Sequence, residues 1–122
     1  MKKPEILVID ENTKILFAFE SLLEREGCLT ITAESASEAL LKIAAKKPKA
    51  IFVDVSQPEQ NNLDTIAKIR DNNRTIPLIL ITSQDIKEVE ILVDKFDANG
   101  FLAKPFSIDT VRTVLKKLDI RS

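Results

Sequence analysis

The sequence has no histidine, a single cysteine and only two glycines among its 122 residues. Without histidine, imidazole metal sites, serine-histidine triads and phosphohistidine carriers are excluded. Gly27 and Gly100 stand far apart, so neither a phosphate-cradling P-loop nor a dinucleotide-binding turn can be built. Cys28 has no partner for an internal disulfide, which points to a reducing, cytoplasmic setting. No apolar run approaches the roughly 20 residues needed to span a bilayer. Met1-Lys2-Lys3-Pro4 leads into a strand pattern and not into a signal-peptide core, so no membrane association is expected. Eighteen basic residues balance nineteen acidic ones with no basic stripe, so no direct nucleic-acid contact by this domain is expected.

What is present fits one ordinary globular domain over residues 1–122. Apolar residues make up 44% of the chain and charged residues 30%. A chain of this size buries roughly two thirds of its unfolded surface.

Four short runs are almost wholly apolar: Ile6-Leu7-Val8-Ile9, Ala50-Ile51-Phe52-Val53, Leu78-Ile79-Leu80-Ile81 and Gly100-Phe101-Leu102-Ala103. Their length, β-branching and lack of alternation predict strands covered on both faces. Leu29-Thr30-Ile31-Thr32-Ala33 alternates apolar and hydroxyl residues and reads as an edge strand with one wetter side.

Helical spacing fills the intervals. Ile15, Phe19, Leu22 and Leu23 predict a first helix that stops at Gly27, a residue tolerant of positive φ. Ser35-Ala36-Ser37-Glu38 is a capping box opening a second helix closed before Pro48, with the Ser35 hydroxyl and Glu38 carboxylate each expected to satisfy an amide. Leu63, Ile66 and Ala67 mark a third helix, and Ile86, Val89, Val93 and Phe96 a fourth. Ile108, Val111, Leu115 and Leu118 mark a fifth, capped by Ser107 and with Lys116 and Lys117 at its negative end. Five β-α repeats imply an α/β doubly wound parallel sheet with right-handed crossovers. Ligands in such sheets bind beyond the carboxyl ends of the strands.

Those ends carry chemistry. The first strand runs into Asp10-Glu11, the third into Asp54, the fourth into Thr82-Ser83 and the fifth into Lys104-Pro105. Each residue alone reads as a turn, cap or surface group. Together, three carboxylates repel unless a cation holds them, and an oxygen-rich set suits Mg²⁺. A carboxylate beside Mg²⁺, an ammonium and a hydroxyl form a set suited to phosphoryl transfer, with Asp54 as nucleophile, Asp10 and Glu11 as metal ligands and Lys104 neutralising charge.

The Asp10-Glu11, Asp54, Thr82 and Lys104-Pro105-Phe106 pattern resembles the receiver domains of bacterial two-component response regulators, of the chemotaxis-regulator-like kind, over essentially the whole chain. The resemblance implies a flavodoxin-like three-layer (βα)5 sandwich with strand order 2-1-3-4-5. It further implies that Asp54 takes a phosphoryl group from a histidine kinase or phosphotransfer protein. Mg²⁺ would be bound by Asp54, Asp10, Glu11 and the Ser56 backbone carbonyl. It also implies a cis bond before Pro105 and a switch in which Thr82 moves inward and Phe101 fills the space. The fourth helix, fifth strand and fifth helix would then present a changed surface to an effector or a second copy of the chain. Such a domain catalyses only its own phosphorylation and dephosphorylation, and is not an enzyme toward other substrates.

The chain departs from the family pattern at several points. Glu11 is one methylene longer than the usual Asp, and Mg²⁺ wants near-octahedral ligands at about 2.1 Å. Gln57-Pro58 and Asn62 replace the usual Met-Pro and Gly, and Asn62 keeps a left-handed turn open. Ser56 and Gln84 occupy variable positions that tune phosphate lifetime in the family. These departures leave open a degenerate receiver that binds its partner without phosphate. Asp10-Glu11-Asn12-Thr13 also resembles the acidic first-strand motif of aspartyl-nucleophile phosphatases, which would put the nucleophile at Asp10 and require a cap domain.

Overall fold

The computed structural model describes residues 3–10, 13–55, 62–83 and 85–120. The elements run β1 (Glu5–Ile9), α1 (Thr13–Arg25), β2 (Leu29–Ala33), α2 (Ala36–Lys46), β3 (Ala50–Asp54), α3 (Asn62–Asn72), β4 (Leu78–Thr82), α4 (Ile86–Phe96), β5 (Gly100–Ala103) and α5 (Ile108–Lys117). All strands are parallel, in the order β2-β1-β3-β4-β5. The expected doubly wound, flavodoxin-like sheet is therefore the one observed.

Strand alternation sorts the core into two layers. Leu7, Ile9, Ile51, Val53, Leu78 and Leu80 pack with Ala39 of α2, Ile66 and Ile69 of α3, and Val89 and Phe96 of α4. Ile6, Val8, Phe52, Ile79 and Ile81 turn the other way, onto Leu16, Phe19 and Leu23 of α1 and Val111 and Leu115 of α5. β3 and β4 are buried along their whole length, which is why their sequences do not alternate. Each fully buried Ile, Leu or Phe contributes about 1.5–3 kcal/mol of transfer free energy, so these two layers hold the sheet between its helices.

Local sequence explains the ends of the elements. Gly27, at φ 81°, lets α1 finish in a Schellman turn. The Cys28 N–H donates to the Leu23 carbonyl at 3.0 Å and the Gly27 N–H to that of Glu24 at 3.1 Å. Ser107 caps α5 by accepting from the Thr110 N–H at 3.3 Å. At α2 the box closes on one side only. Ser35 Oγ accepts from the Glu38 N–H at 3.2 Å, whereas the Glu38 carboxylate takes the Lys42 ammonium at 2.9 Å one turn on. An ion pair four residues away competes with the amide for the same carboxylate.

Two other expectations change. Asn62 is the first residue of α3, so helical backbone stands where a left-handed turn was left open. β2 lies at the sheet edge as expected, but its burial does not alternate: Leu29 is exposed, the next three residues are half-buried and Ala33 is buried. Lys42 explains part of this, because its ammonium also donates to the Thr32 carbonyl. The Ala33 carbonyl turns inward to accept from the Asp10 N–H, so the Thr32 carbonyl points out of the sheet.

Candidate phosphoacceptor site

The parallel register brings the predicted residues together. Ile9 pairs with Val53, which sets Asp10 beside Asp54 at neighbouring strand ends. Asp54 pairs with Ile81, and Thr82 with Ala103, so hydroxyl and amine follow in order along the same edge. Asp10 and Asp54 are each 5% exposed and Thr82 is fully buried.

Lys104 completes the set. Its side chain, 25% exposed, forms an ion pair with Asp54 Oδ2, reaching from the end of β5 across β4 to the end of β3. Its backbone N–H donates to the Thr82 carbonyl at 2.7 Å. The Lys104-Pro105 peptide bond is cis, as expected. Phe101 is half-buried against the layer formed with α2, α3 and α4. It lies opposite Leu80 on β4, and Thr82, two residues beyond Leu80, shares that face. Thr82 and Phe101 are thus diagonal neighbours on one side of the sheet.

The donor set fits a divalent cation. Two nearly buried carboxylates at adjoining strand ends carry more negative charge than one partly exposed ammonium offsets, and all their donor atoms are oxygen. Of the remaining ligand calls, Glu11 and the Ser56 carbonyl lie outside the described residues, as do Gln57 and Gln84. Among the described residues no group of three His, Cys, Asp or Glu side chains gathers at one point.

An aromatic strut escaped the sequence reading. Phe106, just after the cis bond, packs on Phe19 of α1 with ring centroids 4.9 Å apart and the rings tilted by 40°. Phe19 meets Phe52 edge-on at 5.7 Å and 62°. Phe52 lies two residues before Asp54, so three rings connect the strand that carries the acid to the loop that carries the amine. The signal was present in Lys104-Pro105-Phe106, but only the fold tells which ring the third residue meets.

Residues 6–116 match the family described as the response regulator receiver domain. The chain belongs to this family. Receivers of two-component systems are phosphorylated domains that bind Mg²⁺ in the phosphorylation site. Among curated relatives, the protein PilG of Pseudomonas aeruginosa is 34% identical over 92% of this chain and 84% of its own length. The alkaline phosphatase synthesis transcriptional regulatory protein PhoP of Bacillus subtilis is 30% identical over 97% of this chain. The receiver spans 49% of PhoP and 25% of the DNA-binding transcriptional regulator NtrC of Proteus hauseri. Among solved structures, the Vibrio cholerae chemotaxis protein CheY4 superposes with a TM-score of 0.85 at 23% identity, over 96% of this chain and 99% of that one. Thermotoga maritima TrrA, solved in complex with Mg²⁺-BeF, gives 0.79 at 26% identity, over 94% and 98%. Among the described residues no helix is long and apolar enough to cross a membrane.

Proposed function

We propose that Asp54 is the phosphoacceptor of this receiver and that the chain works as a self-modifying signalling switch in the cytoplasm. The observation that carries this reading is the Lys104-Asp54 ion pair at the strand edge that also carries Asp10 and Thr82. An Asp54 carboxylate oxygen attacks phosphorus, the bond from phosphorus to the donor histidine nitrogen of a kinase or phosphotransfer protein breaks, and that nitrogen keeps the electron pair. Lys104 offsets charge on the transferring oxygens, and the Thr82 hydroxyl donates to one of them. Asp10, Glu11, Asp54 and the Ser56 carbonyl would hold Mg²⁺, which supplies further charge neutralisation. The phosphoryl group biases Thr82 and Phe101 toward a second packing and changes the α4-β5-α5 surface met by an effector or a second copy.

Incubation with Mg²⁺ and a small phosphodonor such as phosphoramidate should add one phosphoryl group to the intact mass. Asp54→Asn should remove the shift. An unshifted parent protein would favour instead the phosphate-independent interaction module, and a label mapped to Asp10 would revive the phosphatase-like chemistry.

A further inference from the structure

Arg70, on the last turn of α3, is only 8% exposed and makes four hydrogen bonds from its guanidinium to backbone carbonyls. Nε donates to Phe96 at 2.8 Å and Nη2 to Asp97 at 2.9 Å. Nη1 donates to Ile76 at 2.8 Å and to Asn73 at 3.3 Å. Two of these acceptors lie at the carboxyl end of α4, and two in the segment that follows α3. Helix ends leave carbonyls without partners and carry partial negative charge, so one cation here serves both helices. Burial lowers the Arg70 pKa from its ordinary value, and Asp97 opposes that shift; the group stays charged.

The same end of α4 is held again two residues further on. The Asn99 N–H donates to the Leu78 carbonyl at 2.7 Å, and Asn99 Oδ1 accepts from the Leu78 N–H at 2.9 Å. Asp97, at φ 56°, closes the helix in the left-handed conformation, and Phe96 is buried against the core. The opposite end is built differently. Ile86, Lys87 and Glu88 are exposed, the Asp85 cap bonds Lys87 within the same helix, and Val89 is the first buried side chain.

We propose that Arg70 is the positioning residue that fixes the carboxyl end of α4, so that the helix answers the phosphoryl site by moving about that end. The start of α4 follows Thr82 by only a few residues, whereas Phe96 and Asp97 are bound to α3. A displacement begun at Thr82 therefore reaches the first turns of α4 and stops at the carbonyls that Arg70 holds. This rests on the phosphoacceptor reading of Asp54.

The test is hydrogen exchange on the whole chain, with and without Mg²⁺ and beryllofluoride, in the parent protein, Arg70→Met and Arg70→Lys. In the parent, the ligand should change exchange at residues 86–90 and leave 93–99 unchanged. In Arg70→Met, which keeps much of the apolar stem, exchange at 93–99 should rise about tenfold or more without ligand, since buried carbonyls lose charged donors. The ligand should then alter 93–99 as well. Arg70→Lys, with one donor group and no planar fork, should fall between the two. Faster exchange spread evenly over the chain in both variants, or a parent response already covering 93–99, overturns the proposal. Should Arg70→Met fail to fold, Arg70→Lys alone decides by the same criteria. A missing phosphoryl mass shift would instead defeat the reading of Asp54, while the ligand-free comparison still reports on the clamp.

Discussion

Lys104 binds both of the neighbours it has to coordinate: its backbone N–H is hydrogen-bonded to the Thr82 carbonyl at 2.7 Å while its ammonium pairs with the Asp54 carboxylate. The residue whose ammonium meets Asp54 is thereby tied to the residue that carries the hydroxyl. Lys104→Met removes the ammonium that pairs with the nearly buried Asp54. Phosphoryl uptake from a small donor should fall by about 10²-fold or more, the range seen when one preorganised charge-stabilising group is removed. Time-resolved intact mass would measure it.

Removing a carboxylate tests the cation site separately. Ligand binding to the folded state alone raises stability by mass action, so millimolar Mg²⁺ should raise the Tm of the parent protein. In Asp10→Asn that rise should shrink or vanish while the Lys104-Asp54 pair remains. An equal Tm rise in both proteins would remove Asp10 from the ligand set.

The aromatic strut should separate stability from placement. Phe19 is fully buried, and Phe19→Ala should cost about 3–5 kcal/mol in denaturant unfolding. Phe106 is half-buried, and Phe106→Leu should cost about 1 kcal/mol, in line with the loss of one aromatic pair. Phosphoryl uptake should nevertheless slow, because the Lys104 loop loses its anchor. A Phe106→Leu protein with the parent rate would confine the ring to packing.

Thr82 should matter after the chemistry more than during it. Thr82→Ala should still take up one phosphoryl group, since the acid and amine remain. The change in hydrogen exchange of α4 on adding beryllofluoride should be lost. An unchanged response in α4 would take Thr82 out of the switch.

Cys28 gives a prediction from acidity. Burial, aided by Glu26, raises its thiol pKa above the ordinary 9.0. The unfolded chain therefore releases this proton first as pH rises, and the thiol's contribution to stability is present below pH 9 and lost above it. A charged thiol reagent should label Cys28 at pH 8 only at the rate of unfolding, measurable by absorbance against urea concentration.

The strands were legible because each is a short, apolar, β-branched run, and the order of chemistry at their ends followed from parallel pairing alone. Asp54, Thr82 and Lys104 could be placed at one edge for that reason. Ile86, by contrast, fits the helical period of α4 yet is 53% exposed, because it is the first residue of the helix and the side chains reach the core only from Val89 on. Glu38 shows a local competition of the same kind, with Lys42 taking the carboxylate that the capping pattern reserves for an amide. The contacts of Arg70 and Phe106 were invisible in the sequence. Their partners, the Phe96 carbonyl and the Phe19 ring, are 26 and 87 residues away along the chain, and nothing in local spacing encodes such meetings.

Lys42 gives the outer strand a property that no signalling step uses. A parallel sheet left open at β2 offers a row of outward backbone groups on which any extended chain can add itself. With the Lys42 ammonium seated on the Thr32 carbonyl, an incoming strand must first displace a charge from one of those groups. The charge stands at the rim of the sheet where a further strand would have to pair.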